Sequence, residues 1–162
     1  MESRCPGEFG PDAAEWPSGE PQILVNLVHL IRRCSSVSTN TINDGLKAEN
    51  ISFTQLMVLL CLRGRQQVSL TELRHVLGHD SGAMTRLIDS LVEARLVDRV
   101  QVGEDRRCIK VGATASGERC VNRAIPIIKH REAEVRAEFS EDELQSFIAL
   151  LKRLWMALPK EV

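Results

Sequence analysis

The sequence predicts a mainly α-helical protein carrying one small β-hairpin. Apolar residues recur at helical spacing through most of the 162 residues. That period gives way to an alternation of two only between Leu96 and Val111. Ser, Thr or Asp stands at the head of most helical stripes, where a side-chain oxygen can accept an otherwise orphaned backbone N–H. With 43% hydrophobic and 27% charged residues, the chain has the composition of an ordinary globular domain. A chain of this size buries about 70% of its unfolded surface, so stability demands no disulfide, metal or cofactor, and none is expected.

Residues 1–21 contain Pro6, Pro11, Pro17 and Pro21 without any period and read as an unstructured tail. From Ile23, apolar positions at Leu27, Leu30, Cys34 and Val37 mark one face of a long helix reaching about Leu46. Thr54 is the expected cap of the next helix, with Phe53 stapled onto Val58 and Gly64 as the stop. Ser69-Leu70-Thr71-Glu72 reads as a reciprocal capping box. It opens a two-turn helix whose Leu70, Leu73, Val76 and Leu77 form a stripe that ends at Gly78. Asp80 or Ser81 caps another helix, with Met84, Leu87, Ile88 and Leu91 inward and Ser81, Gly82, Thr85, Arg86, Asp89 and Ser90 outward. Leu96–Val100 and Cys108–Val111 read as strands flanking the charged tip Gly103-Glu104-Asp105-Arg106-Arg107. Thr114 caps a long helix through Val121, Ile125 and Ile128, which Pro126 should bend. A second capping box, Ser140 to Glu143, opens a last helix with Leu144, Phe147, Ile148, Leu151, Leu154, Trp155 and Leu158 on one face.

Several function classes are disfavoured. The longest apolar run, Leu56 to Leu62, has seven residues, far short of the roughly 20 that span a bilayer, so no membrane partner is expected. The first twenty residues carry five acidic side chains and no apolar block, unlike a secretory signal, and five cysteines are an odd count without regular spacing. A cytoplasmic protein with reduced thiols is the expectation. Tyrosine is absent and aromatics are few, which disfavours a single-strand binder built on base stacking. Net charge is only −1, yet residues 51–125 hold eleven basic and eight acidic side chains, placing the positive excess mid-chain.

Two short helices joined by Gly78, His79 and Asp80 and followed by a charged hairpin have the order of a winged helix-turn-helix. A helix about 10–12 Å across fills a duplex major groove about 12 Å wide. Ser81, Gly82 and Ala83 are small enough to let the helix start approach phosphates, while Thr85, Arg86 and Ser90 can reach into the groove. Arg106 and Arg107 at the hairpin tip suit a narrow, electronegative minor groove.

The run Asp80-Ser81-Gly82-Ala83-Met84-Thr85-Arg86-Leu87-Ile88-Asp89, then Leu96-Val97-Asp98-Arg99, Asp105-Arg106-Arg107 and Thr114-x-x-Gly117, resembles the MarR (multiple antibiotic resistance regulator) family of winged-helix repressors. The resemblance spans about residues 22–158, with its specific motifs between Asp80 and Gly117. It implies a recognition helix at about 81–94, a wing arginine in the minor groove, and an Asp105 that holds the wing against the recognition-helix side. It also implies an obligate homodimer with interlocking first and last helices. Arg95 departs from the family, in which glycine often ends the recognition helix, and a left-handed Arg95 would cost about 1 kcal/mol. Asp89, facing outward, would repel phosphate unless paired.

The terminal stripes agree with a dimer on their own account. Ile23, Leu27 and Leu30 at one end, and Leu144, Phe147, Ile148, Leu151, Leu154 and Trp155 at the other, need a partner surface. Two recognition helices about 34 Å apart would then engage a palindromic double-stranded operator. The expected organisation is a tail at 1–21, a dimerisation helix at 22–50, a DNA-binding module at 51–113 and closing helices at 114–162.

The remaining candidates are weaker. His75 and His79 have zinc-ligand spacing, but Gly78 stands between them and no further ligand adjoins. His79-Asp80-Ser81 holds triad residue types as sequence neighbours that point apart, so no catalysis is expected. Cys61, Cys108 and Cys120 read as packing residues. Cys34, near Arg32 and Arg33, is the candidate for a thiol-based redox sensor, as in the peroxide-sensing branch of the resembled family, although its place in the apolar stripe opposes thiolate formation. His29 and Arg33 lie one turn apart, where family members often bind small aromatic acids, and a cation beside an imidazole suits a carboxylate or phenolate; a solvated pair is the plainer reading. The functional expectation is a homodimeric transcription regulator, a repressor released by an aromatic-acid or lipophilic drug-like effector. The alternatives are redox sensing through Cys34 and an interaction adaptor that no longer binds DNA.

Overall fold

The computed structural model describes residues 22–65, 67–101 and 109–158. They form α1 (Gln22–Leu46), a 3-10 turn (Lys47–Glu49), α2 (Phe53–Leu62), β1 (Val68–Ser69), α3 (Leu70–Leu77), α4 (Ser81–Glu93), β2 (Val97–Gln101), β3 (Ile109–Ala113), α5 (Ala115–Arg136) and α6 (Glu141–Ala157). Contacts divide the described residues into two units, one ending at Ser38 and the other beginning at Thr39. Within the first, α1 carries exposed Leu27, Val28, Leu30 and Ile31.

The core of the second unit is assembled from every element that meets α2. Leu56, Val58, Leu59 and Leu62 of α2 are buried, and they join Leu46, Leu73, Met84, Ile88, Leu91, Val97, Val111, Val121 and Ala124 in one cluster. A helix that is apolar all round belongs at the centre of a bundle, which is where α2 lies. The expected Thr54 cap is corrected to Ser52. Its hydroxyl accepts from Gln55 N at 3.2 Å, and the Gln55 carboxamide oxygen accepts from Ser52 N at 2.8 Å. The position before the cap is thereby Ile51, which is buried with Leu56 in the same core, so the staple expected of Phe53 and Val58 moves two residues back. Helix α2 ends at Leu62, and Gly64 follows in the left-handed conformation at φ 69°.

The box expected at Ser69 is only half made. Ser69 Oγ accepts from Glu72 N, but the Glu72 carboxylate pairs with Arg65 Nη1 at 2.7 Å instead of reaching back. Leu73 is buried, with Leu70 and Leu77 packed beside it. Val76 leaves the expected stripe and is 57% exposed, because a helix of eight residues meets the core along a narrow line. Gly78 closes α3 at φ 67°, donating its N–H to Arg74 O. Ser140 and Glu143 complete their box at the head of α6. Thr114 caps α5 as expected, and Pro126 lies within the helix.

The three strands form an antiparallel sheet in the order β1-β3-β2. Val68 faces Val111, and β2 pairs with β3 from Val97↔Ala113 to Gln101↔Ile109. Strand β2 begins at Val97, one residue later than the alternation suggests, and the two-residue β1 has no sequence signal of its own.

The passage from α4 to β2 decides where the hairpin is rooted. Arg95 N bonds Val92 O and Leu96 N bonds Leu91 O, the six-to-one closure of a Schellman ending, with Arg95 left-handed at φ 57°. Thr114 clamps this turn. Its Oγ1 donates to Arg95 O at 2.8 Å and accepts from Gly117 N at 3.0 Å, while Thr114 N donates to Leu96 O. The strain at Arg95 is testable: Arg95→Gly should stabilise the protein by up to about 1 kcal/mol, read as a raised urea midpoint with an unchanged slope.

Candidate nucleic-acid interface

Helix α4 presents one face to the core and the other to solvent. Met84, Ile88 and Leu91 are buried and Leu87 is partly so, while Ser81, Gly82, Thr85, Arg86 and Asp89 are exposed. Of the residues assigned to the outer face, only Ser90 turns partly inward. Its hydroxyl donates to Leu87 O at 2.8 Å and accepts from Gln55 Nε2 at 3.0 Å, which fastens α4 to the first turn of α2. Ser90 is thus a packing contact in the free protein rather than an open groove reader.

The start of α4 is prepared electrostatically. Asp80, one of the two expected caps, takes the role, its carboxylate accepting from Ala83 N at 2.8 Å. That bond first, helped by the Gly82 N–H and by the nearby Arg86 and His79 side chains, holds the Asp80 carboxyl below its ordinary value of 3.8. A depressed carboxylate stabilises the fold fully above its unfolded pKa, and the contribution is lost as pH falls from there through the folded value. Replacing it by Asn, which also caps, should therefore flatten the decline of Tm as pH falls below about 4 while changing it little at pH 7. Gly82 leaves the first turn open: a Cβ there would stand 3.3 Å from Asp80 Oδ1 and 3.6 Å from Arg86 Nη1. Thr85 Oγ1 donates to Ser81 O at 2.9 Å, which leaves its lone pairs and methyl to the outside.

Asp89 stands one turn beyond Thr85 and Arg86 on the same exposed face. Arg99 of β2 donates through Nη2 to its Oδ1, so the phosphate-repelling carboxylate is paired. Spacing along one helix cannot reveal such a pair, because the two residues are brought together by the turn at Arg95.

Beside this face, an open cleft of about 410 Å³ lies between α4 and the head of α2, with Ser52, Thr54 and Gln55 on one wall and Ala83, Arg86 and Leu87 on the other. The wing residues Asp105, Arg106 and Arg107, and with them Cys108, lie outside the described residues. The same holds for the Ile23 side chain.

Other expected sites fall elsewhere. His29 is half-buried and Arg33 exposed on α1. Cys34 is exposed on α1, Cys61 is half-buried and Cys120 is buried; burial raises the pKa of both Cys61 and Cys120. Helix α3 ends between His75 and His79, as Gly78 predicted, and the described residues contain no cluster of three or more metal-ligating side chains. On α6, Leu144 is buried and Ile148 and Leu154 are half-buried, whereas Phe147, Leu151 and Trp155 are exposed. Among the described residues, no helix is long and apolar enough to cross a membrane.

The family model of the MarR family matches residues 51–109, from just before α2 to the start of β3. The chain is 26% identical over 132 residues to the multiple antibiotic resistance protein MarR of Escherichia coli, covering 81% of this chain and 92% of that protein. It superposes on a mutant Escherichia coli MarR complexed with operator DNA at a TM-score of 0.78 and 26% identity, over 88% of this chain and 100% of that one. The chain is thus similar to the MarR family in its helix-turn-helix module and in its fold. With these relatives, which include DNA-bound transcription regulators, it shares the winged helix-turn-helix fold. At 21% identity and a TM-score of 0.73, the fold is also that of Bordetella bronchiseptica BpsR, whose DNA binding is regulated by 6-hydroxynicotinic acid; that match covers 80% of this chain and 93% of BpsR. Within the MarR-family frame, α3 and α4 are the helix-turn-helix and β2 and β3 the wing.

Proposed function

We propose that this protein is a MarR-family regulator, a cytoplasmic homodimer that represses transcription by reading a palindromic operator with α4, and that it is not an enzyme. The observation that carries the reading is the outer face of α4. Small residues at Ser81 and Gly82, a polar Thr85 and an exposed Arg86 stand on a helix whose other face is locked into the core. Helix N–H groups and small side chains favour phosphate approach, and Arg86 can bond guanine O6 and N7 in two-pronged fashion. Arg106 and Arg107 would take the flanking minor groove, with Asp105 positioning them. The dimer is supported by the apolar surface of α6, where Phe147, Leu151 and Trp155 are 45%, 42% and 61% exposed, and by the exposed Leu27 and Leu30 of α1. Each would be covered by the second copy.

Release by a small aromatic or lipophilic effector follows if the ligand prefers the dimer state in which the two recognition helices no longer match the groove spacing. His29 and Arg33 are the residues proposed to meet a carboxylate or phenolate. Selection of duplexes from a random pool tests the central reading. The expected product is a pair of inverted half-sites about 10 base pairs apart, bound by a dimer, with affinity falling steeply as salt rises. A protein that sediments as a monomer at micromolar concentration and enriches no sequence would contradict it.

A further inference from the structure

Asp89 is anomalous on a surface meant for a polyanion. It projects from α4 beside Thr85 and Arg86, four and three residues before it, so the three side chains lie on two successive turns of one exposed face. A bare carboxylate there would repel every phosphate within reach. The fold supplies a dedicated counter-charge. Arg99 alternates in register with buried Val97 and pairs across the sheet with buried Val111, so its stem leaves from the core side of β2 and its guanidinium emerges at α4. There Nη2 bonds Asp89 Oδ1, with about a third of the arginine side chain and half of the aspartate exposed. The hydrogen bond engages Oδ1, and the carboxylate stays half exposed on that face.

We propose that Asp89 is a specificity-determining residue that accepts from the N4 amino group of cytosine in the major groove, and that Arg99 is the positioning residue that neutralises and orients it. This rests on the reading of α4 as the recognition helix. The chemistry is that of the groove edges: cytosine alone presents a donor without a neighbouring acceptor on the same base, and a carboxylate is the natural acceptor for it. Arg99 removes the electrostatic objection by making the pair neutral toward phosphates while the half-exposed carboxylate can still accept. Arg86, one turn earlier, prefers guanine by the complementary chemistry, so the half-site should contain a guanine and a cytosine read from neighbouring turns of α4. The salt bridge also joins recognition helix to wing, which fixes the Asp89 rotamer before DNA arrives.

Duplex selection with the full-length wild type, Asp89→Asn, Arg99→Gln and the double variant tests this, alongside thermal unfolding of each. The wild type should enrich one cytosine per half-site that Asp89→Asn no longer enriches, the preference falling from about tenfold or more toward none, or turning to adenine, which an amide can bond by two hydrogen bonds. The other positions, including the guanine assigned to Arg86, should stay as they are. Because Arg99 is set free in Asp89→Asn, its salt dependence should steepen by about one phosphate contact. Arg99→Gln should keep the cytosine preference yet bind every duplex more weakly, and adding Asp89→Asn to it should restore affinity. That crossed pattern is not one that a merely structural salt bridge would give, since both single variants would then lose stability and change no base preference. Identical enrichment at every position by wild type and Asp89→Asn overturns the proposal while leaving the recognition helix in place. No enrichment by the wild type overturns the reading of α4 itself.

Discussion

Gly117→Ala is expected to cost about 3 kcal/mol or more, one of the two largest losses from a single-residue change anticipated in this protein. A Cβ at Gly117 would stand 2.2 Å from the carbonyl oxygen of Leu96 and 3.2 Å from its carbon. That oxygen cannot withdraw, because it accepts from Thr114 N at 3.0 Å and follows the left-handed Arg95, whose own carbonyl is held by Thr114 Oγ1. Alanine would normally gain about 1 kcal/mol over glycine inside a helix, so a net loss measures the closeness of approach rather than helix propensity. Gly45→Ala is the control. There the Cβ would meet Ile127 Cγ2 at 2.6 Å, the end of a side chain that can rotate, so the loss should be clearly smaller. Thermal unfolding of the pair reads the difference, with about 10 °C expected for Gly117→Ala. Equal Tm values for the two would show that the Leu96 turn yields easily and does not root the wing.

The second large effect separates folding from reading on one helix. Ile88 is fully buried and Arg86, two residues away, is exposed. Ile88→Ala should destabilise by about 2–5 kcal/mol through lost burial and the cavity left behind. At a temperature where it remains folded, it should still prefer the wild-type operator. Arg86→Ala should do the reverse, with Tm nearly unchanged and about 1–3 kcal/mol of discrimination at one guanine lost. Urea unfolding together with binding to matched and mismatched duplexes checks both. A large stability loss in Arg86→Ala would mean that its guanidinium supports the fold near Asp80 rather than waiting for DNA.

What was legible in the sequence is local, and what was not depends on contacts between elements. The stripe Met84, Leu87, Ile88, Leu91 and the cap at Asp80 define α4 by themselves, since helix period and capping are set within a few residues. Gly78 and Thr114 are legible for the same reason. The Ser52 cap was readable too, as Ser-x-x-Gln, but Thr54 stands one residue inside the helix and competes for the same assignment. Strand β1 has two residues and no period of its own; it exists because β3 offers Val111 and Lys110 as partners. Glu72 satisfies the capping pattern at Ser69, yet a nearer cation at Arg65 takes its carboxylate. Ser90 has the outward spacing of a groove reader, and only the position of Gln55, 35 residues away in the chain, turns it into a packing contact. Helix α4 is thus a local fact, whereas the placement of the hairpin strands against it rests on bonds between elements at Arg95, Leu96 and Arg99.

Methylation interference on a selected duplex tests most directly the claim that α4 reads the major groove. Blocking N7 of one guanine in each half-site should abolish binding by the wild type and have no further effect on Arg86→Ala, since the arginine is the group that needs that nitrogen. Wild-type binding that tolerates N7 methylation at every guanine would contradict the account.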